Sequence, residues 1–194
     1  MTTRTAVITG ADQPFGTAVA RALSPKVDTI LLGGTDEARL NELVEELEAH
    51  AGTVTSLRTD VRDEFDVERL METASRLGGG SIDYIVPCAR VSHLDSSSPI
   101  TAWSYAGFDD ELRTNLRGVF ASVREAIPHC DDDSHIVVPR EDGSSTGTFS
   151  PIAEHAIDAL VELADADGPT VSVVTVERIS SEADVEPIID ALLI

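Results

Sequence analysis

Short apolar runs alternate with amphipathic stretches along the chain in a regular order. The run Thr5–Thr9 reads as a strand ending at Gly10, and a helix from Phe15 to Leu23 follows, closed by Ser24-Pro25. A second strand, Thr29–Leu32, stops at Gly33-Gly34. Leu40, Leu43, Val44 and Leu47 recur at helical spacing between Glu37 and Ala49, with Thr35 or Asp36 as the N-cap. Thr53–Leu57 is a third strand and Phe65–Leu77 a third helix, halted by Gly78, Gly79 and Gly80 before a strand at Ile82–Val86. A polar loop over Ser92–Ser98 precedes a long helix from about Asp109 to Ile127. Strand Ile136–Val138, helix Ile152–Ala164, strand Val171–Val176 and helix Val185–Leu193 complete the pattern. Six β-branched runs separated by helices predict a parallel sheet covered on both faces, an α/β architecture. No linker, repeat or composition break divides residues 1–194, so one domain is expected.

Composition narrows the function classes. Apolar residues make up 42% of the chain, enough for a packed core. No apolar run is long enough to span a bilayer. The opening MTTRTAVITG turns polar at once, unlike a signal peptide, so a cytoplasmic location without membrane association is expected. Asp and Glu number 35 against 14 Lys and Arg, a formal charge of −21, and Lys26 is the one lysine. Such a surface repels itself until salt shortens the Debye length to about 3 Å near 1 M. It is similar to the surfaces of proteins from salt-accumulating halophiles. Without a basic patch, nucleic acid is not an expected partner. Cys88 and Cys130 are expected to be free thiols.

The order of several short motifs carries a resemblance. Thr9-Gly10-Ala11-Asp12-Gln13-Pro14-Phe15-Gly16 lies between the first strand and helix; Asp60-Val61 follows the third strand; Ile82-Asp83-Tyr84-Ile85-Val86 leads into Pro87-Cys88-Ala89-Arg90. Asn115-Leu116-Arg117-Gly118-Val119-Phe120 lies in the long helix, Thr170-Val171-Ser172-Val173-Val174 at the sixth strand, and Ser181-Glu182-Ala183-Asp184-Val185 before the last helix. In this order the chain resembles the short-chain dehydrogenase/reductase family over nearly its whole length. The resemblance implies a Rossmann-like doubly wound sheet of about six strands in the order 3-2-1-4-5-6. It also implies a substrate lid and a seventh strand after the last helix; with the chain ending at Ile194, both are expected to be missing.

The resemblance implies as well which residues hold a dinucleotide: Gly10, Phe15, Gly16, Asp60, Val61 and Ala89. The family's catalytic tetrad is represented by Asn115 alone. Its Tyr-x-x-x-Lys pair belongs near Phe149–His155, where no alignment supplies it, and the only tyrosines are Tyr84 and Tyr105. Arg140 stands nearest the place of the family's serine; Ser144 and Ser145 read as turn residues in a Gly-Ser-Ser-Thr-Gly loop. Pro14 replaces the middle glycine of the phosphate turn, removing an N–H and adding a ring. Gly33-Gly34-Thr35-Asp36 lacks the usual ribose-binding acid or phosphate-binding arginine, with Asp36 the one residue in reach. Arg90 is expected to fill the cleft, or to pair with a phosphate where a nucleotide binds. No cofactor is therefore expected, NAD or NADP binding weakly at most.

A non-catalytic interaction or scaffold domain is the leading expectation. It pairs with itself or an active relative through the helices at 109–127 and 152–164, the family's usual oligomer helices. The alternatives are an NAD(P)-dependent oxidoreductase using Asn115, Arg140 or His155, and a nucleotide-responsive regulator. His129-Cys130-Asp131-Asp132-Asp133-Ser134-His135 fits no established zinc spacing, so no metal is expected. His93 and His155 read as isolated structural or exposed histidines, and Trp103, Tyr105 and Phe108 as side chains packing on the sheet.

Overall fold

A computed structural model of the protein describes residues 3–49, 52–91, 99–141, 151–164, 168–176 and 185–193. The 92–98 loop with His93, the Ser144-Ser145 turn and the Ser181–Asp184 segment lie outside these residues. Six parallel strands form one sheet: β1 (Thr5–Thr9), β2 (Thr29–Gly34), β3 (Thr53–Arg58), β4 (Tyr84–Pro87), β5 (His135–Glu141) and β6 (Thr170–Val176). Their order is β3-β2-β1-β4-β5-β6, as the motif order implied. The reversal between β1 and β4 makes the crevice beyond their C-terminal ends the expected ligand site of such a sheet.

The central strands are apolar throughout because helices cover both faces; every residue of β1, β2 and β4 is buried. One face carries α1 (Pro14–Leu23), α2 (Glu37–Leu47) and α7 (Glu186–Leu192), which bury Phe15, Val19, Leu40 and Ile188 against Ile8, Ile30 and Leu32. The other face carries α3 (Glu64–Leu77), α5 (Gly118–Ala126) and α6 (Pro151–Ala164), with α4 (Tyr105–Glu111) leading toward α5 along the chain. There Leu70, Met71, Val119, Val123 and Ile157 pack on Val7, Leu31, Ile85 and Ile136. Among the described residues, no helix is long and apolar enough to cross a membrane.

Helix starts follow local chemistry. Asp36 caps α2 by accepting from Ala38 and Arg39 N–H, and Asp63 caps α3 through Phe65 N–H. The long helix begins at Tyr105, earlier than its apolar periodicity indicates, because Ser104 caps it by accepting from Gly107 N–H. α4 and α5 are joined by a π-helical turn, Leu112–Arg117, in which Gly118 N–H reaches back five residues to Arg113 O. The wider turn places Thr114 and Asn115 on the buried side. Strand β5 continues to Glu141 because β6 pairs with it residue by residue from His135↔Thr170 to Glu141↔Val176. The aromatic trio departs from expectation. Trp103 and Phe108 stack on each other with centroids 6.4 Å apart, and Tyr105 is 95% exposed. None of the three joins the clusters that cover the sheet.

Gly10 is where the backbone admits no side chain. Its φ is +66°, and a Cβ there would come within 2.5 Å of the Ala89 backbone. Gly10→Ala is expected to cost about 2–4 kcal/mol of stability from left-handed backbone strain and a forced separation of β1 and β4. The check is a lowered denaturant midpoint at unchanged slope.

Candidate functional site

The turn from Thr9 to Gly16 lies at the C-terminal end of β1, in the crevice that the sheet order creates. Gln13 N–H bonds to Gly10 O at 3.0 Å and Thr17 Oγ1 donates to Ala11 O at 2.8 Å, fixing a tight loop before α1. Pro14 occupies the first helical position, where its missing N–H costs no intrahelical bond. A Cβ on Gly16 would collide with Gly10 O, so this glycine serves the close fit of helix on turn. Gly10, Asp60, Val61 and Ala89 line one small cleft of about 110 Å³ together with Asp12, Gln13, Thr35 and Arg62. Phe15 is elsewhere, buried in the core beneath α1.

Two side chains that the sequence reading did not single out shape this cleft. Gln13 forms a double hydrogen bond with the backbone of residue 90: Nε2 donates to Arg90 O at 2.9 Å, and Oε1 accepts from Arg90 N–H at 3.0 Å. This amide ties the glycine turn to the tail of β4 across the strand reversal. The Asp12 carboxylate turns to the end of β2, where one oxygen accepts from Thr35 N–H at 2.9 Å, Thr35 Oγ1 at 3.2 Å and Asp36 N–H at 2.9 Å. The acid at the end of β2 thus comes from the turn after β1, and Asp36 is spent on capping α2. The only advance signal was an acid and an amide in a loop that otherwise favours small residues.

Arg90 is buried between the ends of β4 and β5. It is 5% exposed, and its guanidinium donates to Ala89 O at 2.9 Å, Pro87 O at 3.3 Å and Pro139 O at 2.9 Å. Strands β4 and β5 pair only at Tyr84↔His135 and Ile85↔Ile136. Beyond these pairs each strand carries a proline, which has no N–H to offer. The Arg90 guanidinium supplies donors to the carbonyls across the opened gap.

Asn115 is fully buried in the π-helical turn. Its side chain bridges Val91, accepting from the N–H at 2.9 Å and donating to the carbonyl at 2.8 Å. Arg140 bonds Asp158 on α6 at 2.6 Å and Thr175 on β6 at 2.9 Å. His155 is exposed on α6. The Tyr84 phenol and the Lys26 ammonium are far from this crevice, and the Tyr105 phenol is exposed at the start of α4. Tyr84 begins β4 at the opposite end of the parallel sheet, where burial raises its pKa and Arg4 lies 5.9 Å over its ring. Lys26 is exposed in the turn before β2, at that same opposite end.

At the outer wall, Arg62 bonds Asp60 through Nε and Nη2 at 2.9 and 2.8 Å and Asp110 through Nη1 at 2.8 Å. These bonds, first of all the one from Arg62, hold the Asp60 carboxyl below its ordinary range against the opposing effect of partial burial. Both cysteines are free, and burial pushes each thiol up to about 12, so neither is a nucleophile at neutral pH. Among the described residues, no three His, Cys, Asp or Glu side chains gather to hold a metal.

Against a dinucleotide, the tight turn at Gly10 suits a close backbone approach to a pyrophosphate. Ligand pockets usually measure about 300–1,000 Å³, and here the described cleft is about 110 Å³. The Asp12 and Asp60 carboxylates and the Arg62 guanidinium line this cleft, while the Arg90 guanidinium is buried beside it among the carbonyls of Pro87, Ala89 and Pro139.

Two outcomes follow from this geometry. Asn115→Ala leaves the N–H and carbonyl of Val91 without their partner and is expected to cost about 2–4 kcal/mol, read as a lowered denaturant midpoint. For Asp60, a depressed native pKa means stability that is complete above the unfolded value near 3.9 and lost as pH falls through the native value. Urea titrations are therefore expected to show wild type more stable than Asp60→Asn at pH 6, with the gap closing steadily below about pH 4.

Comparison with known proteins agrees with this architecture. Residues 4–138 match the family model for the short chain dehydrogenase. An uncharacterized oxidoreductase of Staphylococcus haemolyticus is 29% identical over 136 residues, 69% of this chain and 56% of the relative. The glycine betaine reductase of Emericella nidulans is 32% identical over 128 residues, 64% of this chain and 10% of that protein. The first of these relatives, and similar oxidoreductases of Staphylococcus epidermidis, are spanned over only 56% to 63% of their length. Among solved structures, an alcohol dehydrogenase of the archaeon Thermococcus sibiricus, complexed with 5-hydroxy-NADP, superimposes with a TM-score of 0.77 at 23% identity. That match covers 92% of this chain and 80% of the other, and it speaks for the fold alone. The matched motifs, the strand order and the family model together make this chain a member of the short-chain dehydrogenase/reductase family.

Proposed function

We propose that this chain is a non-catalytic member of its family, a cytoplasmic domain kept for association rather than hydride transfer. The observation that carries the reading is the Arg90 guanidinium, bonded to Pro87 O, Ala89 O and Pro139 O in the crevice at the β4 and β5 ends. A dinucleotide would have to displace it. A general acid must sit within hydrogen-bond reach of the reacting oxygen, and Tyr84 and Lys26 lie at the far end of the sheet.

The association surface is a groove of about 830 Å³ between the Leu112–Ile127 helical stretch and α6. Leu116, Phe120, Leu160 and Leu163 line it, with Phe120 49% and Leu163 83% exposed. Apolar side chains left in water at this density favour a protein partner. Arg113, Arg117 and Arg124 also line the groove, paired with Asp109, Glu64 and Glu125, so this face is locally less acidic than the net charge of −21 implies. The occupant proposed is a second copy or an active relative, joined through the helices at 109–127 and 152–164. The excess acid fits a protein that works in concentrated salt.

A second reading is favoured by family membership and by the oxidoreductase names of the relatives: an NAD(P)-dependent oxidoreductase with an atypical site. Under it Asn115, Arg140 or His155 would act near the nicotinamide, although the first two are engaged with Val91 and Asp158. A nucleotide-responsive regulator that binds without turnover stands between the two.

Titration with NADH and NADPH in molar salt, followed by fluorescence, separates these readings. The scaffold reading expects no saturable binding at millimolar cofactor; binding without turnover supports the regulator, and substrate-dependent oxidation supports the enzyme. Leu163→Glu and Phe120→Glu, both exposed in the single chain, are expected to weaken self-association at least about tenfold, since each sets an unpaired charge in an apolar contact. Sedimentation equilibrium reads the effect, and an unchanged monomer in wild type at high concentration would leave the hetero-partner as the occupant.

A further inference from the structure

We propose that Asp12 is a resident anion that keeps the β2–α2 turn of this chain closed to phosphorylated ligands, an autoinhibitory contact built into the glycine turn. The proposal deepens the non-catalytic reading at one end of the cleft.

Thr35 N–H and Asp36 N–H converge on one point at the start of α2. Successive backbone donors at the positive end of a helix form an anion-binding arrangement. Here the point is occupied by Asp12 Oδ2, 2.9 Å from each nitrogen, with Thr35 Oγ1 at 3.2 Å. Asp12 is 9% exposed, although it comes from a loop after a different strand. Gly34 makes room for it: a Cβ there would lie 2.5 Å from Asp12 Oδ1. Arg39 Nη1 donates to Asp12 O at 3.3 Å, which holds the backbone under the carboxylate.

An incoming phosphate therefore meets both donors already used and a negative charge at the spot it needs. Asp36 adds a second carboxylate nearby, but its Oδ1 is committed to Ala38 and Arg39 N–H. It is the same in wild type and in any variant at position 12. A neutral ligand would not meet the charge penalty, so exclusion should track phosphate rather than size.

The test compares wild type with Asp12→Ala in molar potassium chloride, with adenosine 2′,5′-bisphosphate as probe and adenosine as the neutral control. Amide resonances of Thr35 and Asp36 report the location. Asp12→Ala is expected to bind the bisphosphate at least about tenfold more tightly than wild type, because one like charge is gone and two donors are released. Adenosine should show no comparable gain. Equal affinity of the two proteins for the bisphosphate, or a gain as large for adenosine, overturns the proposal. Asp12→Ser serves the same comparison if the alanine variant loses its cooperative unfolding transition. If both variants lose it, wild type decides: saturable shifts of the two amides with bisphosphate overturn the proposal, and their silence supports it. NADH turnover by wild type would overturn the non-catalytic reading while the Asp12 comparison remained readable.

Discussion

Strands β1 and β4 lie so close at their C-terminal ends that Gly10 has no room for a side chain against the Ala89 backbone. That approach decides what the crevice can become. Cys88 N–H bonds to Thr9 O at 3.1 Å, and one residue further the Gln13 amide takes both backbone groups of Arg90. Once residue 90 is held this way, its side chain reaches the gap that Pro87 and Pro139 leave between β4 and β5. Asn115 holds Val91 by the same device, an amide bridging one backbone N–H and carbonyl. Two buried amides therefore fix successive residues of the β4 tail, and buried polar groups of this kind are costly to break.

The polar groups of the site are consequently turned inward. In an open dinucleotide site, donors at the glycine turn and at the start of the next helix face a ligand. Here Thr35 and Asp36 N–H face Asp12, the Arg90 guanidinium faces carbonyls, and Arg62 joins Asp60 to Asp110 across the outer wall. The larger apolar concavity lies between α5 and α6. This redistribution links an ordinary family fold to the proposed emphasis on association.

Much of the architecture was legible in the residues. Alternating apolar runs and glycine stops located six strands, and motif order supplied their arrangement in the sheet. Boundaries shifted where local chemistry outweighed periodicity: Ser104 started the long helix at Tyr105, and pairing with β6 extended β5 to Glu141. The identity of the acid at the end of β2 was not legible. Asp12 and Thr35 are 23 positions apart, and only the parallel pairing of β1 with β2 brings them together. Gln13 was hidden for the same reason, since its partner lies 77 residues away. Phe15 reads as a cofactor neighbour by motif position, but the helical turn sends it into the core. Gly118 carried a signal of another kind: a Cβ there would meet Val61 Cγ2 at 2.7 Å, so the helix motif records a close packing contact.

We propose that the Gln13 and Arg90 contacts leave no place for a nicotinamide dinucleotide. A crystal structure grown in molar salt with excess NADH tests it most directly. The account predicts the Arg90 guanidinium still on Pro139 O, Gln13 still paired with residue 90, and no ordered dinucleotide between β1 and β4. An ordered dinucleotide with Arg90 swung out of the crevice would contradict it.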